Sequence, residues 1–410
     1  EIPLRLVGSE MCIRDRGNAD CTLIKLSNDK TIIVDCQIRN AFDDKGNQIC
    51  YDVKTDLLHE LKRDEDGHPF VDLYVSTHPH DDHCVGFGDN FYHGKPEDYD
   101  DENNETIIVG ELWVTPYGLK NDVCASAADI RREAKRRRKL YDDDEEFEGD
   151  YGNYLHIIGY DKDKEYDERY GYVPGTLVKD VNGNKLSYLE IFIHAPFKED
   201  VENAKEVKDK NAVSIVMQLS FTVRGAETSV AKILLGGDAE HQVWQHVLDN
   251  NQDDETLEWD VFQTPHHCSW TFFNDTENKN QVLPSAEDIL SRKRNDEAII
   301  VASSEEIKDE EPNPPHYEAK TEYKKRLKKK SNFLNTAVHS VKDEIPQPIV
   351  LVVSDAGIQD VSAVIEEKEA RGFAEALKTG ALKVGKLGAL SLTTGKAVAA
   401  SGGFYGEDND

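Results

Sequence analysis

A β-rich run that ends in "STHPHDDHCVG" (76–86) constrains this chain more than any other feature. Between His78 and His83 stand three histidines and two aspartates. "VDLYVST" (71–77) reads as a strand, and Pro79 disfavours helix at His78. Side chains alternate along an extended segment, so His78 and His80 are expected on one side. The same plan of strand followed by polar cluster recurs twice. "KILLGGD" ends at Asp238, and "DVFQTPHHCS" carries His266 and His267. Loops at strand ends are where an α/β scaffold places its chemistry.

A lone HxH means little, and three unrelated polar loops are the bland alternative. The composite pattern of H-x-H-x-D-H, Gly-Gly-Asp and Pro-His-His is far more specific. Imidazole and carboxylate together suit zinc, or less often manganese or iron. Two ions roughly 3.5–4 Å apart need about six or seven ligands, one of them a bridging carboxylate. His78, His80, Asp82, His83, Asp238, His266 and His267 supply that count.

The remaining elements follow from short-range signals. Residues 21–26 and 31–36 are two apolar runs joined by Asn-Asp, a hairpin pattern. Leu57, Leu58 and Leu61 give helical spacing over 51–63. Further strands are expected within 185–197, 212–223, 229–240, 259–270, 298–304 and 348–355, with a helix at 240–249. Residues 90–190 read as insertion-rich, holding a basic helix and two acidic runs expected to be mobile loops, "EDYDDENNE" and "DDDEEFEGD". This gives one α/β domain over 17–358 and a flexible Gly/Ala/Ser/Thr-rich tail over 359–410. Residues 6–15, "LVGSEMCIRD", match the translation of a transposase sequencing adapter. Residues 1–16 are therefore expected to be a scar, with the native start and a first β-strand missing.

The apolar fraction of 38% is enough for a sizeable core, and no run approaches a membrane span. A net charge of −31 repels nucleic acid at long range. Two basic runs, "RREAKRRRK" (131–139) and "KKRLKKK" (324–330), could form a local groove, though each reads more simply as a solvated helix face. Seven cysteines without a CxxC point to reduced thiols. With no secretory signal in view, a soluble, cytoplasmic protein is expected.

Several segments together resemble the metallo-β-lactamase fold superfamily. They are Gly17–Asp20 with "TLIKL", "TIIVDC" carrying Asp35, His78–His83 with Gly86, "NAVS" (211–214), "ILLGGD" to Asp238, and "DVFQTPHHCS". Within that superfamily the chain is most similar to the soluble metallohydrolase branch of ComEC-type DNA-uptake proteins. The likeness covers about residues 17–355. It implies a four-layer αββα sandwich with two divalent ions at one edge, zinc first and manganese second. It further implies that His78 and His80 hold one ion, Asp82 and His83 the other, and that Asp238 bridges. His267 would complete the second site and His266 would face substrate, with the order of those two open. His194, in "IFIHAP", is the candidate middle ligand or else a structural histidine, and His316, in "NPPHYE", is a candidate substrate neighbour. Asp20 and Asp35 are read as supporting residues. Three positions depart from the family pattern: Ala19, Gln37 and Cys268 stand where glycine is usual. His93, His156, His241, His246 and His339 lack matching context.

The activity implied is hydrolysis by metal-activated water, with Asp82, Asp238 and His266 as catalytic residues. A phosphodiester, nucleic acid included, is the first substrate class. The alternatives are a thioester, lactone or β-lactam hydrolase on the same site, and a non-catalytic zinc-stabilised module that binds partners.

Overall fold

Continuous apolar runs form the strands that are covered on both faces, and these strands build two large mixed sheets. The computed structural model describes residues 20–362 except 101–104, 121–123, 160–167, 208–209, 225, 227, 252, 276–278 and 310–311. It also describes the backbone of 2–8, 382–384 and 390–392. Cys12, most of the expected scar, part of "EDYDDENNE" and most of the expected tail lie outside the described residues.

The first sheet contains β1 (Ile2–Gly8), β2 (Asp20–Lys25), β3 (Thr31–Val34), β4 (Pro69–Val75), β5 (Ile107–Val114) and β6 (Tyr154–Ile158). The second contains β7 (Leu189–Ala195), β8 (Val216–Phe221), β9 (Ala231–Leu235), β10 (Val261–Gln263), β11 (Ile299–Ala302) and β12 (Phe333–Asn335). The chain then returns to the first sheet through β13 (Ile349–Ser354) and β14 (Gly357–Asp360), giving the order β14-β13-β1-β2-β3-β4-β5-β6. β1 therefore fills the slot between β2 and β13. Strand pairing uses backbone groups alone, so that slot accepts any segment able to extend.

Each sheet is antiparallel on one side and parallel on the other. β3 to β6 run parallel, as do β9 to β12. The strands β4 and β5 are buried at every position, as parallel strands covered on both faces must be. The inner faces of the two sheets share one apolar cluster that includes Ile32, Leu73, Val75, Ile193, Met217, Ile233 and Val301. On the outer face of the first sheet, Leu23, Ile33 and Tyr74 pack with α1 (Val53–Glu60), α2 (Asp81–Cys84), α3 (Phe87–Asn90) and α4 (Ala128–Asp143), and α5 (Lys198–Val207) packs Val201 and Ala204 on Tyr117 and Val213. On the outer face of the second, Leu234, Phe262 and Ile300 pack with α6 (His241–Asn250), α7 (Pro284–Ser291) and α8 (Tyr317–Arg326). Asp52 starts α1 by accepting from Thr55 N–H at 3.0 Å, and Pro284 opens α7, where a missing N–H costs nothing. Among the described residues no helix is long and apolar enough to cross a membrane.

The region 90–190, read as insertion-rich, supplies β5 and β6 to the first sheet. "DDDEEFEGD" is exposed but tethered: Arg169 Nη1 donates to the carbonyls of Asp144, Glu145 and Phe147 at 2.9–3.0 Å.

Candidate metal centre

Parallel strands deliver their C-terminal ends to one edge, and the polar clusters stand there. After β4 the chain bends at His78, where the His80 N–H donates to the His78 carbonyl at 3.1 Å, is extended at His80, and then makes one helical turn, α2 (Asp81–Cys84), which presents His83. Gly86 closes that turn at φ +87, where a Cβ would collide with the Ile38 carbonyl. After β9, Gly237 turns the chain at φ +49 against Thr77 and Ser214, which sets Asp238 at the same edge. After β10, His266, His267 and Cys268 all take the left-handed region, at φ 48, 53 and 68. For residues other than glycine each such conformation costs on the order of 1–3 kcal/mol. Neighbours hold the loop: Ser269 N–H donates to His266 O at 2.9 Å and His316 N–H to Cys268 O at 3.0 Å.

Two ligand groups result, and they share one residue. Asp20, His83, Asp238 and His267 present buried ligand atoms within 4.8 Å of one another. His78, His80 and Asp238 form the second such group. His83 Nε2 lies 3.1 Å from Asp238 Oδ1, and His78 Nε2 lies 3.4 Å from Asp238 Oδ2. Yet neither Asp238 oxygen, nor His83 Nε2, has an aligned hydrogen bond, although all three are buried. Buried polar atoms are rarely left so, and atoms that face a common centre rather than each other fit a cation between them. Nitrogen and carboxylate oxygen are a suitable donor set for zinc and similar divalent ions. These buried His and Asp groups could hold a metal ion.

Outer contacts fix each ring so that Nε2 faces the centre. His83 Nδ1 lies 2.8 Å from Asp35 Oδ2, His267 Nδ1 lies 2.9 Å from the Ser303 carbonyl, and His78 Nδ1 lies 3.1 Å from Thr77 Oγ1. Asp35 also accepts the Thr77 N–H at 2.7 Å and its hydroxyl at 2.6 Å. Such partners set the tautomer and the aim of ligand imidazoles. Burial opposes charge on His83, but the carboxylates of Asp238, Asp35 and Asp82 outweigh it and hold the ring well above its ordinary range. His267 is pushed up to about 9, again because Asp238 and Asp20 overcome burial. His80 is pulled down to about 3 by burial and by His78.

The structure brings together His78, His80, His83, Asp238 and His267, and adds Asp20, which sequence reasoning had placed in a supporting role. Asp82 adjoins the groups without joining one, its Oδ2 3.1 Å from His267 Nε2. His266 stands at the rim, with Nε2 3.8 Å from Asp238 Oδ2 and Nδ1 3.3 Å from Thr271 Oγ1 and 3.4 Å from Asn211 Nδ2. His194 joins neither group, which corrects its candidacy as a ligand. It lies on the opposite face of β7 from Ile191 and Ile193, buried, with Nε2 donating to the Thr256 carbonyl at 2.8 Å. His316 acts on the loop: its Nδ1 accepts the Trp270 N–H at 2.8 Å, and its Nε2 lies 3.3 Å from the Pro312 carbonyl. The remaining histidines have local partners, as His156 has in Glu111 at 2.8 Å and His246 in Asp200 at 2.5 Å.

Much of each basic run is paired with acidic side chains. On α4, Arg132 pairs with Asp129, Arg136 with Glu133 and Lys139 with Asp143. Arg137 is buried and reaches Glu133 and three backbone carbonyls. Around the second run, Lys325 and Arg326 pair with Glu322, and Lys329 pairs with Glu297.

The chain is thus a mixed α/β protein with a buried His/Asp cluster fit for a metal. No protein-family model matches the chain, and no curated protein matches it.

Proposed function

We propose that this chain is a metal-dependent hydrolase of the metallo-β-lactamase fold, with two divalent ions held by the two groups that share Asp238. On this reading the two sheets and their flanking helices are the αββα layers. His78 and His80 would hold one ion, Asp20, His83 and His267 would hold the other, and Asp238, which belongs to both groups, would serve both. The observation that carries the reading is the sharing itself: one buried carboxylate, both of whose oxygens lack hydrogen bonds, between two sets of imidazoles. Divalent ions bound there would supply Lewis acidity and make water nucleophilic at neutral pH.

The chain's own residues do the rest. Asp35, Thr77 and the Ser303 carbonyl orient the ligand rings. Asp82 Oδ2 lies 3.1 Å from His267 Nε2, the nitrogen that faces the centre, so its carboxylate stands beside the place of the second ion. Burial keeps His266 below its ordinary imidazole range, so the ring is neutral at pH 7. Its Nε2 can then accept a proton from attacking water and return it to the leaving group.

The substrate class is a phosphodiester, on the strength of the Pro-His-His-Cys-Ser segment and its likeness to the DNA-uptake branch. Zinc is the first candidate metal and manganese the second. The test is turnover of a chromogenic phosphodiester and of single-stranded DNA by zinc- or manganese-loaded protein, beside a thioester and lactone panel. Metal bound with no turnover of either phosphodiester overturns the substrate class, and turnover of the ester panel alone reassigns it.

A further inference from the structure

His194 takes no part in the metal centre, yet it is held in one protonation pattern. Its Nε2 lies 2.8 Å from the Thr256 carbonyl. A carbonyl oxygen only accepts, so Nε2 carries the proton, and in the neutral ring Nδ1 is a bare acceptor. Burial pulls the imidazole down to about 4, so the ring is neutral at pH 7. The residue is 3% exposed. Nδ1 has no hydrogen-bond partner among the described residues, and it is not sealed from solvent either. What opens onto the ring is a cavity of about 240 Å³ between β7 and α6. Phe192 stands beside His194, 4.8 Å ring to ring, and Phe197 and Val247 line the same cavity. Asn250 and Asp253, both exposed, form its mouth.

We propose that this cavity binds a small, neutral aromatic molecule of the phenol class, whose hydroxyl donates to His194 Nδ1. A buried acceptor left without a donor is rare in a native protein. Apolar walls around one well-placed polar atom are the usual make-up of a small-molecule site. The size fits a ring with a substituent, since an apolar cavity of roughly 150 Å³ already takes up benzene. The walls exclude an ion, which would lose its hydration there with no charge to meet it. They favour a flat ring, which packs edge-on or offset against Phe192 and Phe197. The hydroxyl then lies at the floor, and the far edge of the ligand points to Asn250 and Asp253. The cavity shares no residue with the two ligand groups, so the inference does not rest on the hydrolase reading.

The full chain, isotope-labelled at its histidine ring nitrogens and held at pH 7, tests this by NMR. His194→Gln, which keeps a donor for Thr256, identifies the His194 signals by their loss. Phenol at millimolar concentration is expected to move the Nδ1 signal saturably in the direction of hydrogen-bond acceptance. Toluene, of nearly the same size but without a donor, is expected to leave that signal near its free position. His194→Phe keeps the shape of the wall and removes the acceptor, so the ratio of phenol to toluene affinity is expected to fall roughly 5–10-fold. If that variant does not fold, the nitrogen signal of the unmutated chain decides alone. Phenol that leaves Nδ1 unmoved, or moves it no further than toluene does, overturns the proposal. An unchanged affinity ratio in a folded His194→Phe protein overturns it equally.

Discussion

Gln263 donates from Nε2 to Asp20 Oδ1 at 2.9 Å, a bond from the last residue of β10 in one sheet to the first residue of β2 in the other. It fixes one carboxylate oxygen of Asp20 and leaves the other, Oδ2, 3.8 Å from His83 Nδ1. Burial pushes the Asp20 carboxyl up, against the pull of His267 and His83, and a cation beside it would favour the ionised form. The two groups should therefore be separable by mutation. Elemental analysis of zinc-loaded protein is expected to give about two ions per chain, falling to about one in Asp20→Ala or His80→Ala and to about none in Asp238→Ala. An Asp20→Ala protein with undiminished zinc would return Asp20 to a supporting role.

Asp35 takes the left-handed region at φ 56 and anchors three groups: His83 Nδ1, the Thr77 N–H and the Thr77 hydroxyl. Replacing it by Asn keeps the shape and removes the charge that orients His83. Asp35→Asn is expected to weaken zinc binding roughly 10–100-fold while the fold persists. Chelator competition and thermal unfolding, measured together, separate those two effects.

Arg137 shows that a basic run can be structural. Its guanidinium is buried, paired with Glu133 at 2.7 Å and bonded to the carbonyls of Val109, Gly110 and Tyr154. Removing it leaves the buried Glu133 carboxylate to Arg136 and takes a donor from three backbone carbonyls. Arg137→Met is expected to lose about 3–5 kcal/mol of stability. Urea denaturation reads the loss, and zinc content per folded chain should stay unchanged.

The histidine cluster was legible because strand, turn and ligands are contiguous, and hydrophobic runs marked most of the strands. What depended on register was not legible. Asp20 reaches the site because β2 pairs antiparallel with β3, Thr22 opposite Val34, which puts Asp20 beside the Asp35 end of that strand. The hairpin itself was legible, but nothing in a single sequence fixes the register that sets Asp20 at this edge. Cys268 carried a partial signal: the resemblance expected glycine, and the chain there sits at φ 68, a conformation glycine adopts without strain. The α4 run looked like a solvated face because pattern alone cannot show that one arginine in the run turns inward. His194 followed a strand as a ligand would, but alternation along β7 puts it on the outer face with Phe192, 4.8 Å ring to ring.

That outer position gives His194 a different consequence. It lines a cavity of about 240 Å³ with Phe192, Phe197 and Val247, and burial pulls its imidazole from the ordinary 6.5 down to about 4. The hydrogen bond to the Thr256 carbonyl opposes that shift without reversing it. A depressed histidine is neutral in the folded chain and protonated in the unfolded chain between those two values. The unfolded state then binds more protons, so stability rises with pH across the window and is lost as pH falls from 6.5 towards 4. One such group sets a limiting slope of about 1.4 kcal/mol per pH unit. His194→Gln removes the titrating ring and keeps a donor for Thr256, so the variant should unfold with a shallower pH dependence over that window. Denaturant midpoints at pH 4.5, 5.5 and 6.5 for both proteins measure the difference, and equal slopes would place the acid sensitivity elsewhere.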